Sequence, residues 1–378
     1  MQRRELLKLT GAAVIGMTIA PSLMAKKKGT GNGSAMLHLN FNENSLGMSE
    51  KAKQAVINSI GIGSRYPDDQ RSELIRRLAE KYNLEDNFVS LGNGSSENIR
   101  GIIQSQVFKA RQAKQTVQLI VPDPTFNYAE LYAQAMNVSV VKVPLADDFL
   151  FDLDKLQEAA EKFSGVSIIY LCNPNNPTST VTPAKELFHW IKKSPENYFF
   201  LLDEAYAEYV QDPEFESGVK LIKQGFKNVA VTRTFSKFYA MAGYRVGYML
   251  ANSDVVEEVD KFMSIDNNNI AGVVAALASL KDKTFAELSL QSNNASRQIV
   301  EKALSELELD FAPSNGNFIF HEIKGDVPQY QERMKENGIL VGREFLPIQN
   351  WSRLTLGTPE EMQRFVSVLK EFRQKGWV

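Results

Sequence analysis

Four short segments carry side chains whose types and spacing could do chemistry together. In Thr234-Phe235-Ser236-Lys237 a lysine follows two hydroxyls, and Arg245 comes eight residues after it, which reads as an amine beside an anion site. Asp203-Glu204-Ala205-Tyr206 sets a carboxylate three residues before a phenol. Cys172-Asn173-Pro174-Asn175-Asn176-Pro177-Thr178 is a turn dense in amides and proline, able to aim one asparagine side chain at a bound ring. Gly92-Asn93-Gly94-Ser95-Ser96-Glu97 joins glycines that admit close backbone approach to serines that open a helix. Amides at such a start hold a phosphate without needing a cationic side chain. Each segment alone has an ordinary explanation: a solvent-facing lysine, an acidic strand cap, a turn, an N-cap.

What joins them is the set of elements that must position them. Short apolar, β-branched bursts recur at Phe88 to Leu91, Val117 to Val121, Val138 to Val143, Val166 to Leu171, Tyr198 to Leu202 and Val229 to Thr232. Helical patterns separate them at Glu97 to Ala110, Ala129 to Ala135, Pro183 to Lys193 and Val255 to Met263. Continuous apolar strands alternating with helices predict an α/β fold with a mostly parallel sheet sandwiched by helices. Ligands of such sheets bind beyond the carboxyl ends of the strands, and all four segments begin there. Together they supply a phosphate cup, a reactive amine, an acid, a phenol and an amide donor, the set that pyridoxal 5'-phosphate requires. A carboxylate beside the pyridine nitrogen keeps it protonated, so the ring can absorb electrons from a breaking bond at the substrate's α-carbon.

Beyond about residue 265 the rhythm changes to a long helix from Thr284 to Glu306, with Thr284 and Glu287 spaced as a capping box. Short strands near Phe318 to His321 and Leu354 to Leu356 follow, then a helix from Glu360 to Gln374. The expected organisation is a large domain over 46–264 and a smaller C-terminal α/β domain over 265–378, with a cleft between them.

Composition narrows the chemistry. With 43 basic and 45 acidic residues the chain has no basic field for nucleic acid, and no uncharged span in its body suits a bilayer. One cysteine forbids an intrachain disulfide, and three scattered histidines give no ligand spacing, so no metal is expected. The chain opens Met1-Gln2-Arg3-Arg4, then a weakly apolar stretch from Leu9 to Met24, then Ala25 and three lysines. That pattern predicts a twin-arginine signal peptide over 1–25, export to the periplasm, and an N-terminal arm over 26–45.

The Asn176-Pro177-Thr178 turn, the Asp203-x-x-Tyr206 pair and the Ser236-Lys237 to Arg245 block, in this order, make the chain resemble a class I/II, fold type I pyridoxal-phosphate aminotransferase of the histidinol-phosphate aminotransferase kind. The resemblance covers nearly everything from Asn40 onward. It implies that Lys237 forms the Schiff base with the cofactor and that Asp203 pairs with the ring nitrogen. Asn176 and Tyr206 are implied to bond the ring's phenolic oxygen, and Phe126 to stack on the ring. Arg245, Ser236, Thr234 and the amides of Ser95 and Ser96 would form the phosphate shell. Arg65-Tyr66-Pro67 matches the segment that brings a tyrosine to the neighbouring subunit's phosphate, which implies a homodimer. Arg353 matches the arginine that grips the substrate carboxylate, with Asn176 beside it. Lys237, once displaced, would shuttle the α-proton.

Two positions depart from the family pattern. Ser179 stands where the turn usually has glycine, and Arg343 falls one position later than the residue expected to recognise a substrate phosphate. The leading expectation is therefore an exported aminotransferase moving an amino group between an amino acid or related amine and a 2-oxo acid. The alternatives are a decarboxylase or other α-carbon chemistry on the same fold, and a non-catalytic exported binding or maturation protein.

Overall fold

The computed structural model describes residues 36–378, so the leader and the first part of the arm lie outside the described residues. The frame is a seven-stranded sheet. Its strands are β2 (Val89–Asn93), β3 (Val117–Asp123), β4 (Ser139–Pro144), β5 (Val166–Cys172), β6 (Tyr198–Asp203), β7 (Val229–Thr234) and β8 (Val246–Ala251), after a short β1 (Leu37–Leu39) outside the sheet. The spatial order is β2-β8-β7-β6-β5-β3-β4, and β8 alone runs antiparallel to its neighbours.

Alternate residues of these strands feed two apolar layers. On β6, Phe200 and Leu202 join one core cluster while Phe199 and Leu201 join the other. The first layer packs against α2 (Asp68–Tyr82), α5 (Leu153–Glu161), α6 (Ala184–Lys193), α7 (Val219–Lys223) and α9 (Ile270–Leu280), with α1 (Glu50–Ser59) alongside. The second packs against α3 (Ser95–Gln112), α4 (Tyr128–Ala135) and α8 (Ser253–Asp260). Burial on both faces is why the strands read as unbroken apolar runs. The same alternation sends Asp203 to the α3 face and Glu204 to the other, where Glu204 Oε2 accepts from the buried Arg233 guanidinium at 2.5 Å.

The remaining elements are α10 (Lys283–Glu306), β9 (Phe318–Glu322), α11 (Val327–Glu336), β10 (Ile339–Val341), β11 (Trp351–Thr355) and α12 (Pro359–Gln374). β9 and β11 pair antiparallel, and β10 pairs parallel with β1, which ties the segment before Asn40 to the C-terminal part of the chain. Two local readings need correction. The capping box expected at Thr284 and Glu287 does not form: Asp282 caps α10 by accepting from Phe285 N, and aspartate is the stronger cap. The reciprocal box is instead at α12, where Thr358 and Glu361 exchange hydrogen bonds and Pro359 opens the helix. β8 is the strand of the seven-stranded sheet that the apolar bursts miss, and the short β1 and β10 are unread as well.

Candidate active site

The carboxyl ends of the parallel strands surround a cavity of about 600 Å³. Its walls include Ser95, Ser96, Phe126, Asn176, Asp203, Tyr206, Thr234, Ser236, Lys237, Arg245 and Arg353. Every sequence-expected site residue except Tyr66 is therefore in one place. Tyr66 follows α1 on the surface with 75% of its area exposed, away from its own chain's cavity.

One end of the cavity is built to hold an anion. Gly94 precedes α3 with φ +73°, and no side chain caps that helix. The first amides of α3, at Ser95 and Ser96, have no partner within the helix, and both residues line the cavity at the helix's positive end. Arg245 adopts the left-handed conformation (φ 56°, ψ 53°), and its carbonyl accepts from Gly94 N at 3.0 Å. Its guanidinium reaches Ser96 Oγ at 3.3 Å and Ser236 Oγ at 3.4 Å. Thr234 Oγ1 donates to Ser236 Oγ at 2.9 Å and accepts from Ser236 N at 3.1 Å, fixing the loop after β7. A Cβ on Gly94 would lie 2.1 Å from the Arg245 guanidinium, and one on Gly247 2.1 Å from Ser95 N. The two glycines leave a cradle that side chains would fill.

Deeper in, Asp203 closes β6. Its Oδ2 accepts from Tyr170 Oη at 2.9 Å and its Oδ1 from Thr232 Oγ1 at 3.2 Å. Burial pushes its carboxyl up to about 6, against the hydroxyl donors that favour the anion. Lys237 Nζ donates to the Phe41 carbonyl at 2.9 Å, and burial, with the Arg353 charge nearby, lowers the amine to about 8. Tyr206 Oη accepts from Asn42 Nδ2 at 3.0 Å and from Asn176 Nδ2 at 3.4 Å, and burial raises its phenol. Phe126 presents a ring to the cavity and packs on Tyr128 at 4.4 Å between centroids.

At the far side Arg353, on β11, is buried. Its two terminal nitrogens donate at 2.6 Å to Asn176 Oδ1 and to the Asn40 carbonyl. Burial lowers its guanidinium to about 10, with the positive charge of Arg343 adding to the effect. Arg343 lines the same cavity near its mouth and stacks over Phe345 at 4.4 Å. Among the described residues Arg353 has no carboxylate within ion-pair distance.

These features fit pyridoxal phosphate: a glycine-lined anion cradle, a depressed amine, a buried carboxyl able to meet a ring cation, and donors from Tyr206 and Asn176. The sequence reading did not assign roles to Tyr170, Thr232, Asn42 or the Asn40 and Phe41 carbonyls. Tyr170 sits inside an apolar burst and reads as core, and backbone carbonyls leave no mark in a sequence.

A family model described as aminotransferase class I and II matches residues 34–369. The chain belongs to this family. It is a pyridoxal-phosphate-dependent aminotransferase of the fold type I architecture. The histidinol-phosphate aminotransferase of Caldicellulosiruptor saccharolyticus is 31% identical over 89% of this chain and 91% of its own length. A solved structure from Erwinia carotovora atroseptica, carrying a provisional histidinol-phosphate aminotransferase assignment, matches this aminotransferase with a TM-score of 0.87. The two are 41% identical over 91% of this chain and 97% of that one. The Sinorhizobium meliloti histidinol-phosphate aminotransferase, solved in complex with pyridoxal-5'-phosphate, matches with a TM-score of 0.80 and 25% identity over 90% and 91% of the two chains.

Proposed function

We propose that this aminotransferase takes the amino group from a small amine or amino acid that carries an anionic group, and passes it to a 2-oxo acid. The observation that carries the reading is Arg353: a buried guanidinium, held flat by Asn176 and the Asn40 carbonyl, with only neutral acceptors around it. A buried cation without a counter-charge is costly, and a substrate carboxylate would supply two oxygens to its fork.

Bound pyridoxal phosphate supplies the electron sink for cleavage at the substrate's α-carbon. Lys237 Nζ holds the cofactor and, when released, takes the α-proton; an amine lowered to about 8 is partly neutral near pH 7 and can act as that base. Asp203 would meet the ring nitrogen. Tyr206 and Asn176 would donate to the phenolic oxygen, and Phe126 would stack on the ring. Arg245, Ser236, Thr234 and the Ser95 and Ser96 amides hold the phosphate, with Tyr66 added from a second copy in a homodimer. The exposure of Tyr66 outside its own cavity supports that last role.

Histidinol phosphate is a second reading for the donor. It is favoured by the presence of Arg343 in the same cavity as Arg353, where a phosphate dianion could engage both. Export to the periplasm through the twin-arginine route rests on Arg3-Arg4 and the segment after them, and is tested by fractionating cells that carry the intact or the Arg-to-Lys leader.

The deciding experiment is borohydride reduction followed by peptide mapping, with a donor screen alongside. An adduct on Lys237, lost with the visible absorbance in Lys237→Ala, and ping-pong dependence on a keto acid are expected. Carbon dioxide release without a keto acceptor would indicate decarboxylation. Turnover of histidinol phosphate far above every free amino acid would select the second reading.

A further inference from the structure

Tyr170 is fully buried on β5, does not line the cavity, and its hydroxyl donates to Asp203, with the Cys172 thiol beside it. It sits beside the carboxyl because β5 and β6 pair in parallel with Cys172 opposite Asp203, and residues two apart on a strand share a face. From the other flank, β7 sets Thr232 directly opposite Asp203. Each carboxyl oxygen thus accepts one hydroxyl, at 2.9 Å from the left neighbour strand and 3.2 Å from the right. A phenylalanine would fill the Tyr170 slot with no polar atom to satisfy.

We propose that Tyr170, seconded by Thr232, is a positioning residue that fixes the plane of Asp203 and holds its carboxyl ionised toward the cofactor's ring nitrogen. The inference rests on the reading of the cavity given above. Hydroxyl donors favour the anionic form of a carboxyl, whereas burial favours the neutral one. Around Asp203 the other titratable groups are Cys172 on β5, Lys237 and Tyr206 on the loops, and the adjacent Glu204, whose charge is taken up by Arg233 on the opposite face. None of these donates to Asp203 a hydrogen bond that could replace that of Tyr170. The two hydroxyls, with the backbone amide of Ala205 as a third donor, are therefore what opposes burial, and the phenol is the largest of the three. Without the phenol, the carboxyl takes up a proton at higher pH, and a neutral acid no longer stabilises a protonated ring nitrogen.

The test uses the holoenzyme with Tyr170→Phe and, in parallel, Thr232→Val. The pH dependence of cofactor affinity and the absorption spectrum of the bound cofactor are read together with kcat and KM. In Tyr170→Phe the acid limb of the affinity profile should move upward by about half to one pH unit. kcat should fall by about tenfold while KM stays within about twofold. Thr232→Val should show the same signs with smaller size. Combining Tyr170→Phe with Asp203→Asn should add nothing to Asp203→Asn alone, as a residue acting through another must behave. A pH profile and spectrum identical to the parent, with only the melting temperature lowered, would make Tyr170 a core filler and overturn the proposal. Absence of a borohydride-stable adduct on Lys237 in the parent enzyme would instead sink the reading of the whole cavity. An adduct present in parent and variant with unmoved profiles would sink the role of Tyr170 alone.

Discussion

Asp203 and Lys237 are enclosed in the same cavity, and enclosure moves both toward their neutral forms. The folded state holds a proton on Asp203 up to about pH 6, against 3.8 for a free carboxyl. Folded protein therefore binds more protons than unfolded between those values, and stability falls as pH rises through that window. Above it the cost is fully present, about 3 kcal/mol for a shift of this size. Lys237 has the opposite sense: its amine is lowered from 10.5 to about 8, so its cost is fully present below 8 and fades as pH climbs toward 10.5. Between pH 6 and 8 the cofactor-free protein carries both. Urea titrations of cofactor-free parent and Asp203→Asn should show their stability difference shifting in favour of the variant by about 2 kcal/mol between pH 4 and 7. A difference that stays flat would mean the carboxyl titrates as in water. At the substrate end, Arg353→Lys keeps the charge and loses the planar fork that joins Asn176 and Asn40. Steady-state kinetics should show kcat/KM reduced about 100-fold, mostly through KM, with the melting temperature nearly unchanged.

At the scale of elements, the site depends on how closely β8 lets the start of α3 approach. Gly247 pairs across from Gly92 on β2, and a Cβ there would press on Ser95 N and on the Gly94 carbonyl carbon, both backbone atoms that cannot swing aside. Gly247→Ala should cost about 2 kcal/mol in chemical denaturation and raise the cofactor Kd by about tenfold, because the amides proposed to hold the phosphate would be pushed away. Equilibrium dialysis checks the second effect separately from the first. The same region shows what the sequence made legible. Six of the seven sheet strands announce themselves as apolar bursts, because both sheet faces are buried; of the helices packed on them α3, α4, α6 and α8 are read, whereas α5 and α7 are not. The reading ends the bursts at or one residue past their last apolar residue, so it stops short of Asp203 on β6 and of Arg233 and Thr234 on β7, polar residues that still belong to these strands. The motif residues were legible because chemistry restricts their types. Their supports were not: Tyr170 is indistinguishable from core by type, and the backbone carbonyls of Phe41 and Asn40 would be the same whatever side chains those residues carried. Ser179 illustrates a departure that the fold absorbs. It takes φ +63°, the conformation glycine favours, and its Oγ accepts from Asn315 N at 3.1 Å, so a serine is held in the left-handed position three residues after Asn176.

For the whole molecule, the proposed homodimer would give Tyr66 a place. It is exposed and absent from its own cavity, and Ile57, Ile60 and Ile62 nearby in the chain are exposed as well, an apolar surface that a second copy would cover. If the partner's Tyr66 completes the phosphate shell, lesions on different chains must complement. In a mixed dimer of Lys237→Ala and Tyr66→Ala chains, the site built on the Tyr66→Ala chain has its own Lys237 and receives an intact Tyr66 from the other chain. The second site carries both lesions. Refolding the two variants together at equal ratio should therefore restore about a quarter of the parent activity per site at limiting cofactor, since half the dimers are mixed and half their sites are whole. The Lys237→Ala chains alone should be inactive, and the Tyr66→Ala chains should show a raised cofactor Kd. Activity equal to the average of the two variants, or a sedimentation coefficient of a monomer, would place Tyr66 outside the chemistry and leave each chain to hold its cofactor unaided.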